Sequence, residues 1–436
     1  MNNLLSNKKI LLSLVGNAVD IAIGFGTVML VTRTYSEEMA GQWFLFVTIF
    51  SLLNNLRDGF IQNGLIKYSQ TDDPVEKNKV YKTSLVITLI FELTLSLVMT
   101  SLFRIFNWFE LADLFFYYPC YSVPYALYRW TFVIHRSQLN VLRTNLMNAS
   151  FLLVLALGST YIYLTQRPLS ALVLLLGAGS TFATLVGCST LGLGRILRSS
   201  FDPITFRNIA HYGKHGLLRE LTGTISTRIS LFITAALLSY TQTAFLGVSQ
   251  RYLTLLLIPN SAFQALLYPV LVKVSHQNDP KELKTVFEHQ ISKLLAAMLF
   301  FAAVISFASP WLIHMLHGPD YQPAVGLLIT AIWTLAIFSP FGSAFGSIIN
   351  TIGKPQINST IVLVNSMINI ALSFLLISSI GLYGAVVAPL CTEVFGFLWA
   401  RKIVAKHTHI SYASIFEQVP GHYRDILSKL RLTLAS

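Results

Sequence analysis

Ionisable side chains interrupt the long apolar segments of this sequence, where a charged group is unfavourable and needs a physical explanation. A charge that faces lipid at the centre of a bilayer costs roughly 2.5–3.5 kcal/mol on insertion scales. Such residues therefore face one another or a polar cavity, and they mark pathways for ions or substrates. Those that the apolar segments contain include Asp20, Arg57, Asp58, Glu92, Arg129, Arg219, Glu220, Arg228, Arg251, His314 and Glu393.

One of these segments also carries a stripe of polar residues. Asn54, Asp58 and Gln62 are spaced at i, i+4 and i+8, with Arg57 beside them. A helix would place all of them near one face. The stripe therefore predicts that this helix lines a polar cavity.

Structural ion pairing is the alternative explanation for each charge taken singly. It would make the charges part of the scaffold and not of a pathway. For the whole set, a polar lumen is the better interpretation. The pairs that the sequence offers are Arg57 with Asp58 or Asp20, and Arg228 with Glu92 or Glu393.

The elements that carry these residues are long enough to cross a membrane. Apolar residues make up 54% of the 436 residues and charged ones only 11%, against about 25% charged residues in soluble domains. Apolar runs of about 20 residues span a bilayer. The sequence predicts an all-α integral membrane protein with twelve transmembrane helices, at 10–32, 43–66, 83–102, 111–133, 145–164, 171–193, 216–238, 243–272, 291–315, 324–350, 357–378 and 383–404.

Lysine and arginine in the loops set the orientation, because they concentrate on the cytoplasmic side. With the N-terminus inside, the predicted outer loops hold only Arg33, Arg104 and Arg167, and nearly all the others lie inside. Both termini are therefore expected in the cytoplasm. The net charge of +12 reflects these loops and indicates no nucleic-acid partner.

Two details of the predicted helices stand out. The eighth is long and contains Pro259 and Pro269, so we expect a kink or an end that does not span. The tail from about residue 420 has apolar residues at helical spacing between basic ones. It predicts an amphipathic helix on the cytoplasmic face, and a partner-binding site is the less favoured alternative.

An internal repeat divides the chain. At an offset of 206 residues, six of the fourteen positions of Lys67–Val80 are identical in Lys273–Val286, and Asn54 aligns with Asn260. Because six helices separate the two copies, both halves have the same orientation, related by a pseudo-two-fold axis along the membrane normal. We expect a six-helix lobe at 1–206, a second at 207–404 and a cytoplasmic tail at 405–436. The stripe maps onto Asn260, Gln264 and Tyr268 of the eighth helix.

Several catalytic signatures are absent from the sequence. It has no Walker A motif, so ATP is not expected to drive the protein directly, and no HExxH or GxSxG motif. Cys120, Cys188 and Cys391 lie in apolar runs and form no disulfide framework or metal spacing. We expect no enzyme activity, no cofactor and no metal site.

Five segments resemble one family in their order and spacing. They are Arg33–Trp43, Ala244–Arg251 followed by Pro259 and Pro269, Pro310–Tyr321, Gly346–Pro355 and Gly381–Ala385. Together they are similar to polysaccharide flippases (Wzx-like), in the superfamily that includes the MATE exporters. The resemblance covers most of the chain, and twelve helices fit this branch better than the lipid II flippases, which usually have fourteen.

This resemblance implies a function. The substrate would be an oligosaccharide repeat unit of O-antigen or another surface polysaccharide, linked to undecaprenyl pyrophosphate. Two lobes would flip it by alternating access from the cytoplasmic to the periplasmic leaflet of the bacterial inner membrane, with association with the glycan polymerase machinery as a further expectation. The family often has a cationic lumen, whereas the charges here are mixed in sign.

Arginine can hold a pyrophosphate by bidentate hydrogen bonds. We therefore expect Arg57, Arg129 and Arg219 to attract the headgroup, Arg228 to hold it and Arg251 to release it. The residues expected to solvate the sugars are Asn54, Gln62, Asn260 and Gln264. The candidates for binding a coupling proton or sodium ion are Asp20, Asp58, Glu92 and Glu393.

Two other functions remain open on the sequence. A MATE-like exporter of small organic cations would need acidic residues in its cavity, and Asp20, Asp58 and Glu92 all fall in the N-terminal half. A duplicated scaffold that does not transport would tolerate mutation of every lumen charge.

Overall fold

The computed structural model describes residues 7–105, 109–275, 280–351, 355–406 and 410–434. Within these ranges the chain forms α-helices and two 3₁₀ turns, at Pro319–Tyr321 and Gly381–Tyr383, and no β-strand. The helices are α1 (Asn7–Thr34), α2 (Glu37–Tyr68), α3 (Pro74–Ile105), α4 (Phe109–Phe116), α5 (Tyr118–Ser137), α6 (Val141–Thr165), α7 (Ser170–Cys188), α8 (Leu193–Arg198), α9 (Pro203–Leu237), α10 (Tyr240–Ser275), α11 (Pro280–His317), α12 (Pro323–Thr351), α13 (Pro355–Ile380), α14 (Gly384–Val404) and α15 (Tyr412–Leu434).

Apolar helices dominate this architecture, and the protein is a multi-pass membrane protein. Many large apolar side chains point outward, including Phe307, which is 92% exposed, as expected where helices face lipid. Seven stretches of the described chain are long and apolar enough to cross a membrane, the last of them containing both α13 and α14. They are Glu37–Tyr68, Pro74–Ile105, Val141–Thr165, Ser170–Cys188, Lys284–His317, Pro323–Ile349 and Gln356–Val404.

The twelve segments predicted to span the membrane all fall on helices. The first three coincide with α1–α3, the fifth and sixth with α6 and α7, and the last six with α9–α14. The fourth differs, because it is divided at Tyr117 into α4 and α5. Pro119 explains the break, since proline has no N–H to bond to the preceding turn and is accommodated only in the first turn of a helix. α10 continues through Pro259 and Pro269 as one helix.

Local capping explains where the long helices begin. The Ser36 side chain accepts a hydrogen bond from Met39 N–H at the start of α2. Asp73 accepts one from Val75 N–H at 2.9 Å ahead of Pro74, as the repeated motif predicts. Glu76 lies in the first turn of α3 and pairs with Lys79 at 2.7 Å. Asp279, the corresponding residue of the second copy, lies outside the described residues, and α11 begins just after it at Pro280.

The chain divides into two compact units, residues 1–225 and residues 226–436. In the first unit, aromatic side chains of α2, α4 and α5 pack together, with Phe46 and Phe115 fully buried. In the second unit, a core of α11, α12 and α14 includes Phe287 and Phe345, and α15 packs into it. The predicted tail helix is therefore longer than expected and begins at Tyr412.

Two glycines bring α9 against α2 inside the first unit. A Cβ placed on Gly213 would lie 2.1 Å from the Phe60 carbonyl oxygen, and one on Gly216 would lie 2.1 Å from that of Gly59. Real Cβ atoms do not approach a carbonyl oxygen so closely. The backbones meet here only because both positions lack side chains.

Candidate functional site

Four charged side chains from three helices meet inside the first unit. Arg57 of α2 donates from Nη1 to Glu92 Oε2 of α3 at 2.7 Å and from Nη2 to its neighbour Asp58 at 3.0 Å. Arg129 of α5 reaches the other oxygen of Asp58 at 2.9 Å. Two cations and two carboxylates form one connected network, so its net charge is zero.

Burial makes this network strong and costly to disrupt. Arg57 and Glu92 are both 1% exposed, so neither charge can turn to water. Removing one partner from a buried pair leaves the other charge uncompensated, which costs about 3–5 kcal/mol. The network therefore fixes α2, α3 and α5 relative to one another.

The expected pairing is only partly what the structure contains. Arg57 does pair with Asp58, but Glu92 also pairs with Arg57 and not with Arg228. Arg228 lies in the second unit, whereas Arg57 and Glu92 both lie in the first. Sequence distance could not reveal which face of α3 turns towards α2.

A small cavity lies beside the network. Its volume is about 10 Å³, close to that needed for one water molecule, and Arg57, Asp58, Gln62 and Arg129 help to line it. Gln62 Nε2 is buried without a hydrogen-bond partner. Two of the three stripe residues, Asp58 and Gln62, thus border a polar space in this unit.

Asn54, the third stripe residue, is satisfied mainly by its own helix. Its Nδ2 donates to the Phe50 carbonyl at 2.9 Å, and its buried Oδ1 has no partner. The aligned residue of the second unit, Asn260, donates to the hydroxyls of Ser339 and Ser343 at 3.0 and 3.1 Å, and its Oδ1 is also without a partner. Among the described residues, both aligned asparagines therefore have an acceptor oxygen without a partner.

Aromatic residues of α5, which the pattern of charges does not indicate, lie beside the network. Tyr121 stacks on Phe50 with ring centroids 4.0 Å apart, and Tyr125 meets both rings edge-on. The Tyr128 hydroxyl donates to Asn148 Oδ1 at 2.6 Å. The tyrosines recur at helical spacing along α5, a signal that was available in the sequence.

Among the described residues of the second unit, Arg228 is not part of an ion-pair network like that of the first unit. Arg228 of α9 is partly buried and makes no hydrogen bond or ion pair with the described residues. Arg251 of α10 is close enough for the two positive charges to repel each other. Glu393 of α14 is exposed and faces α12, where a Cβ on Gly342 would lie 3.7 Å from its Oε2.

Neutral polar contacts hold α9 in place next to Arg228. Asn369 of α13 donates to the Ser226 carbonyl at 2.6 Å, and the hydroxyls of Ser230 and Ser373 lie 3.2 Å apart. These contacts lie one turn or less from Arg228 along α9. They fix the helix that carries the arginine, and no pattern in the sequence predicts them.

Some expected site residues cannot be placed. The side chains of Asp20, Arg219 and Gln264 lie outside the described part of the chain. Among the described residues, no group of three or more histidine, cysteine, aspartate or glutamate side chains could hold a metal ion.

Comparison with solved structures identifies the fold. The inward-facing conformation of a multidrug resistance MATE transporter matches with a TM-score of 0.73 and 17% identity, over 90% of this chain and 98% of that one. The lipid II flippase MurJ, in an inward closed conformation, matches with a TM-score of 0.73 and 15% identity, over 97% and 93%. A Pyrococcus furiosus transporter of the MOP superfamily, described as having a binding pocket of reverse polarity, matches with a TM-score of 0.62 and 16% identity, over 91% and 94%.

Comparison with families identifies the protein more narrowly. No curated protein matches the chain. A family model described as "Polysaccharide biosynthesis protein" matches residues 30–326, which is more than half of the sequence. The chain therefore belongs to this family of polysaccharide biosynthesis proteins, with the fold of MATE and MurJ transporters.

Proposed function

We propose that the protein is a flippase without enzyme activity, which moves an undecaprenyl-pyrophosphate-linked oligosaccharide from the cytoplasmic to the periplasmic leaflet of a bacterial inner membrane. Family membership supports polysaccharide biosynthesis as the process, and the fold supports membrane transport as the activity. In this proposal twelve helices span the membrane as two six-helix lobes, both termini are cytoplasmic, and a proton or sodium ion drives the cycle.

The observation that carries the proposal is the unsatisfied Arg228. A partly buried guanidinium with five N–H donors and no acceptor among the described residues is unfavourable until an anion arrives. A pyrophosphate supplies several charged oxygens, which match the planar fork of arginine. The nearby positive charge of Arg251 adds to the attraction.

The arginines of the first unit take a different part in this proposal. Arg57 is already held by Asp58 and Glu92, and Arg129 by Asp58. A headgroup would have to compete with buried carboxylates for either of them. We therefore assign Arg57 to the scaffold of the first unit, and Arg129, which is 25% exposed at its side chain, to an outer contact with the substrate.

The polar atoms without hydrogen-bond partners among the described residues suggest roles for the remaining site residues. The open acceptors of Asn54 and Asn260 suit sugar hydroxyls, as does the unpartnered donor of Gln62. Glu393 has no arginine partner among the described residues, so it is the strongest candidate for the coupling ion. Asp58 and Glu92 are less suited, since each is already neutralised by arginine.

The test replaces Arg228 in cells that need this protein for their surface glycan. Arg228→Ala should abolish surface glycan at a normal level of membrane protein, and Arg228→Lys should restore it only in part because lysine keeps the charge but not the fork. Arg207→Ala is the matched control, since Arg207 lies on the same helix with an exposed side chain. Normal surface glycan with Arg228→Ala would overturn the proposal.

Export of small organic cations is the second candidate function. The multidrug MATE structures share the fold, and acidic residues lie in the first unit. Asp58 and Glu92 are bound to arginines there, which leaves little negative charge for a cation. A deletion strain with increased drug susceptibility and normal surface glycan would favour this candidate over the flippase.

A further inference from the structure

The C-terminal helix α15 packs against the start of α11 through a cluster of histidines. His422 Nε2 of α15 lies 2.6 Å from the Ser292 hydroxyl of α11, and His289 Nδ1 donates to Gln418 Oε1 at 3.3 Å. The centroids of the two imidazole rings are 5.3 Å apart. Two imidazole side chains therefore face each other across this helix contact, and histidine is the side chain that most often responds to pH near neutrality.

The same contact is apolar on its inner side. Ile415 and Val419 of α15 are buried, 0% and 7% exposed, in the core that contains Phe287 and Phe345. The Tyr423 hydroxyl donates to the Ala296 carbonyl at 2.7 Å. α15 is thus a strap that covers one end of the core of the second unit, and lifting it would expose that core.

The charges around His422 favour its neutral form. His289 and Lys293 face it from α11, and Asp425 faces it from its own helix. Burial first, and then the neighbouring His289 and Lys293, lower the pKa of His422 from its ordinary value of 6.5, while Asp425 acts weakly in the opposite direction. Docking is therefore strongest above pH 6.5, and it weakens as the pH falls, because a released His422 binds a proton more readily than a docked one.

The far end of the strap carries a different set of charges. Buried Glu288 accepts a hydrogen bond from Ser411 N–H at 2.6 Å and lies 3.9 Å from Lys284. Arg401 of α14 stacks over the Tyr412 ring at 4.6 Å. None of these contacts involves a histidine, so they anchor the start of α15 while the histidine end responds to acid.

We propose that α15 is a pH-sensitive strap, docked on α11 when His422 is neutral and released when His422 is protonated beside His289 and Lys293. The inference does not depend on the proposed function, since it concerns one unit alone. In the proposed topology the strap would sense the pH of the cytoplasm. Its release would loosen the ends of α11 and α14, and so slow transport in an acidified cell.

Cysteine labelling of the whole protein tests the strap. In a background with Cys120, Cys188 and Cys391 replaced by serine, Val419→Cys is labelled by a maleimide only when the strap lifts. Phe416→Cys, 44% exposed on the same helix, reports the intrinsic effect of pH on thiol reactivity. The ratio of the two labelling rates should rise below pH 6.5, by up to about tenfold per pH unit for each proton taken up.

Two substitutions of His422 make the outcome decisive. His422→Gln, combined with His289→Gln, should keep the ratio at its low, docked value from pH 8 to pH 5. His422→Lys should give the high ratio even at pH 8, with gel filtration showing that the protein remains folded. A ratio that is constant with pH in the protein with both histidines, or a rise that persists in the double glutamine variant, would overturn the proposal.

Discussion

Replacing Arg57 by alanine should destabilise the first unit severely. Arg57 makes three hydrogen bonds to two carboxylates, at 2.7 Å to Glu92 and at 3.0 and 3.3 Å to Asp58. Asp58 would keep its bond to Arg129 after the change, at 2.9 Å. Glu92 would keep no cation, and it is 1% exposed, so the loss falls on one buried, uncompensated carboxylate.

The expected size follows from that single orphaned charge. Breaking a buried ion pair by removing one partner costs about 3–5 kcal/mol. For a unit of this size, roughly 2–4 °C of melting temperature corresponds to each kcal/mol, so the melting temperature should fall by roughly 6–20 °C. Thermal unfolding of the purified protein in detergent, followed by the fluorescence of a thiol-reactive dye or by light scattering, measures it.

A double-mutant cycle separates the pair from the packing of the arginine side chain. Adding Glu92→Gln to Arg57→Ala removes the orphaned charge, so the double variant should be more stable than the two single effects added together, by about 2–3 kcal/mol. Lys79→Ala, which breaks the exposed pair with Glu76, is the control and should have no measurable effect. Additive single effects, or an Arg57→Ala variant as stable as Lys79→Ala, would refute this account of the network.

Three further predictions concern the frame around the site. Gly213→Ala should impair folding or reduce the amount of protein in the membrane, because its Cβ would lie 2.1 Å from the Phe60 carbonyl oxygen. Gly223→Ala on the same helix should be tolerated, because its Cβ would have no atom within 4 Å. Immunoblots of membranes compare the amounts of the two variants. Asp202 caps the start of α9, and hydrogen bonds from the Thr205 hydroxyl, then from the Thr205 and Ile204 N–H groups, hold the pKa of its carboxyl below 3.8. The stabilisation that the ionised Asp202 carboxylate provides is complete above pH 3.8 and is lost only as the pH falls through the lowered pKa. Asp202→Asn should therefore lower the melting temperature at pH 7 and remove this dependence of stability on acid. Tyr128→Phe leaves the buried Asn148 Oδ1 without its donor and should cost about 1–3 kcal/mol, with Tyr163→Phe, at an exposed tyrosine, as the control in the same melting assay.

The helices were predictable from the sequence because membrane insertion constrains composition strongly. Each of the twelve predicted apolar segments coincides with helical structure, and the Asp73–Pro74 signal correctly places the start of α3. Errors arose where a local rule has an exception. The fourth segment breaks at Tyr117 because Pro119 follows, and α15 begins at Tyr412, before the expected start near residue 420, and runs through Pro420. Pro420 is exposed, so water can satisfy the carbonyl that its missing N–H leaves free.

The site was less predictable because it depends on which helix faces which. Two residues adjacent in sequence, Arg57 and Asp58, were correctly offered as a pair, and Glu92 was offered to the wrong arginine. The charged residues of α3 show which face of the helix is polar, but they do not show which helix packs against that face. The contacts of Asn369 and Ser373 with α9 could not be predicted for the same reason. The sequence around an isolated serine or asparagine in an apolar helix does not show which residue it will bond to.

The two units differ in the charge that they leave for a ligand, and this difference distinguishes the candidate functions. The first unit consumes its acidic residues internally, since Asp58 and Glu92 are bound by two arginines. In the second unit, Arg228 has no partner among the described residues and lies near the charge of Arg251. A binder of organic cations needs the opposite arrangement, with carboxylates free and arginines neutralised. Exchanging the sign at one position, by Arg228→Glu, should therefore abolish surface glycan at normal protein level without creating drug resistance. Resistance gained with glycan retained would show that the free charge of the second unit does not select the substrate.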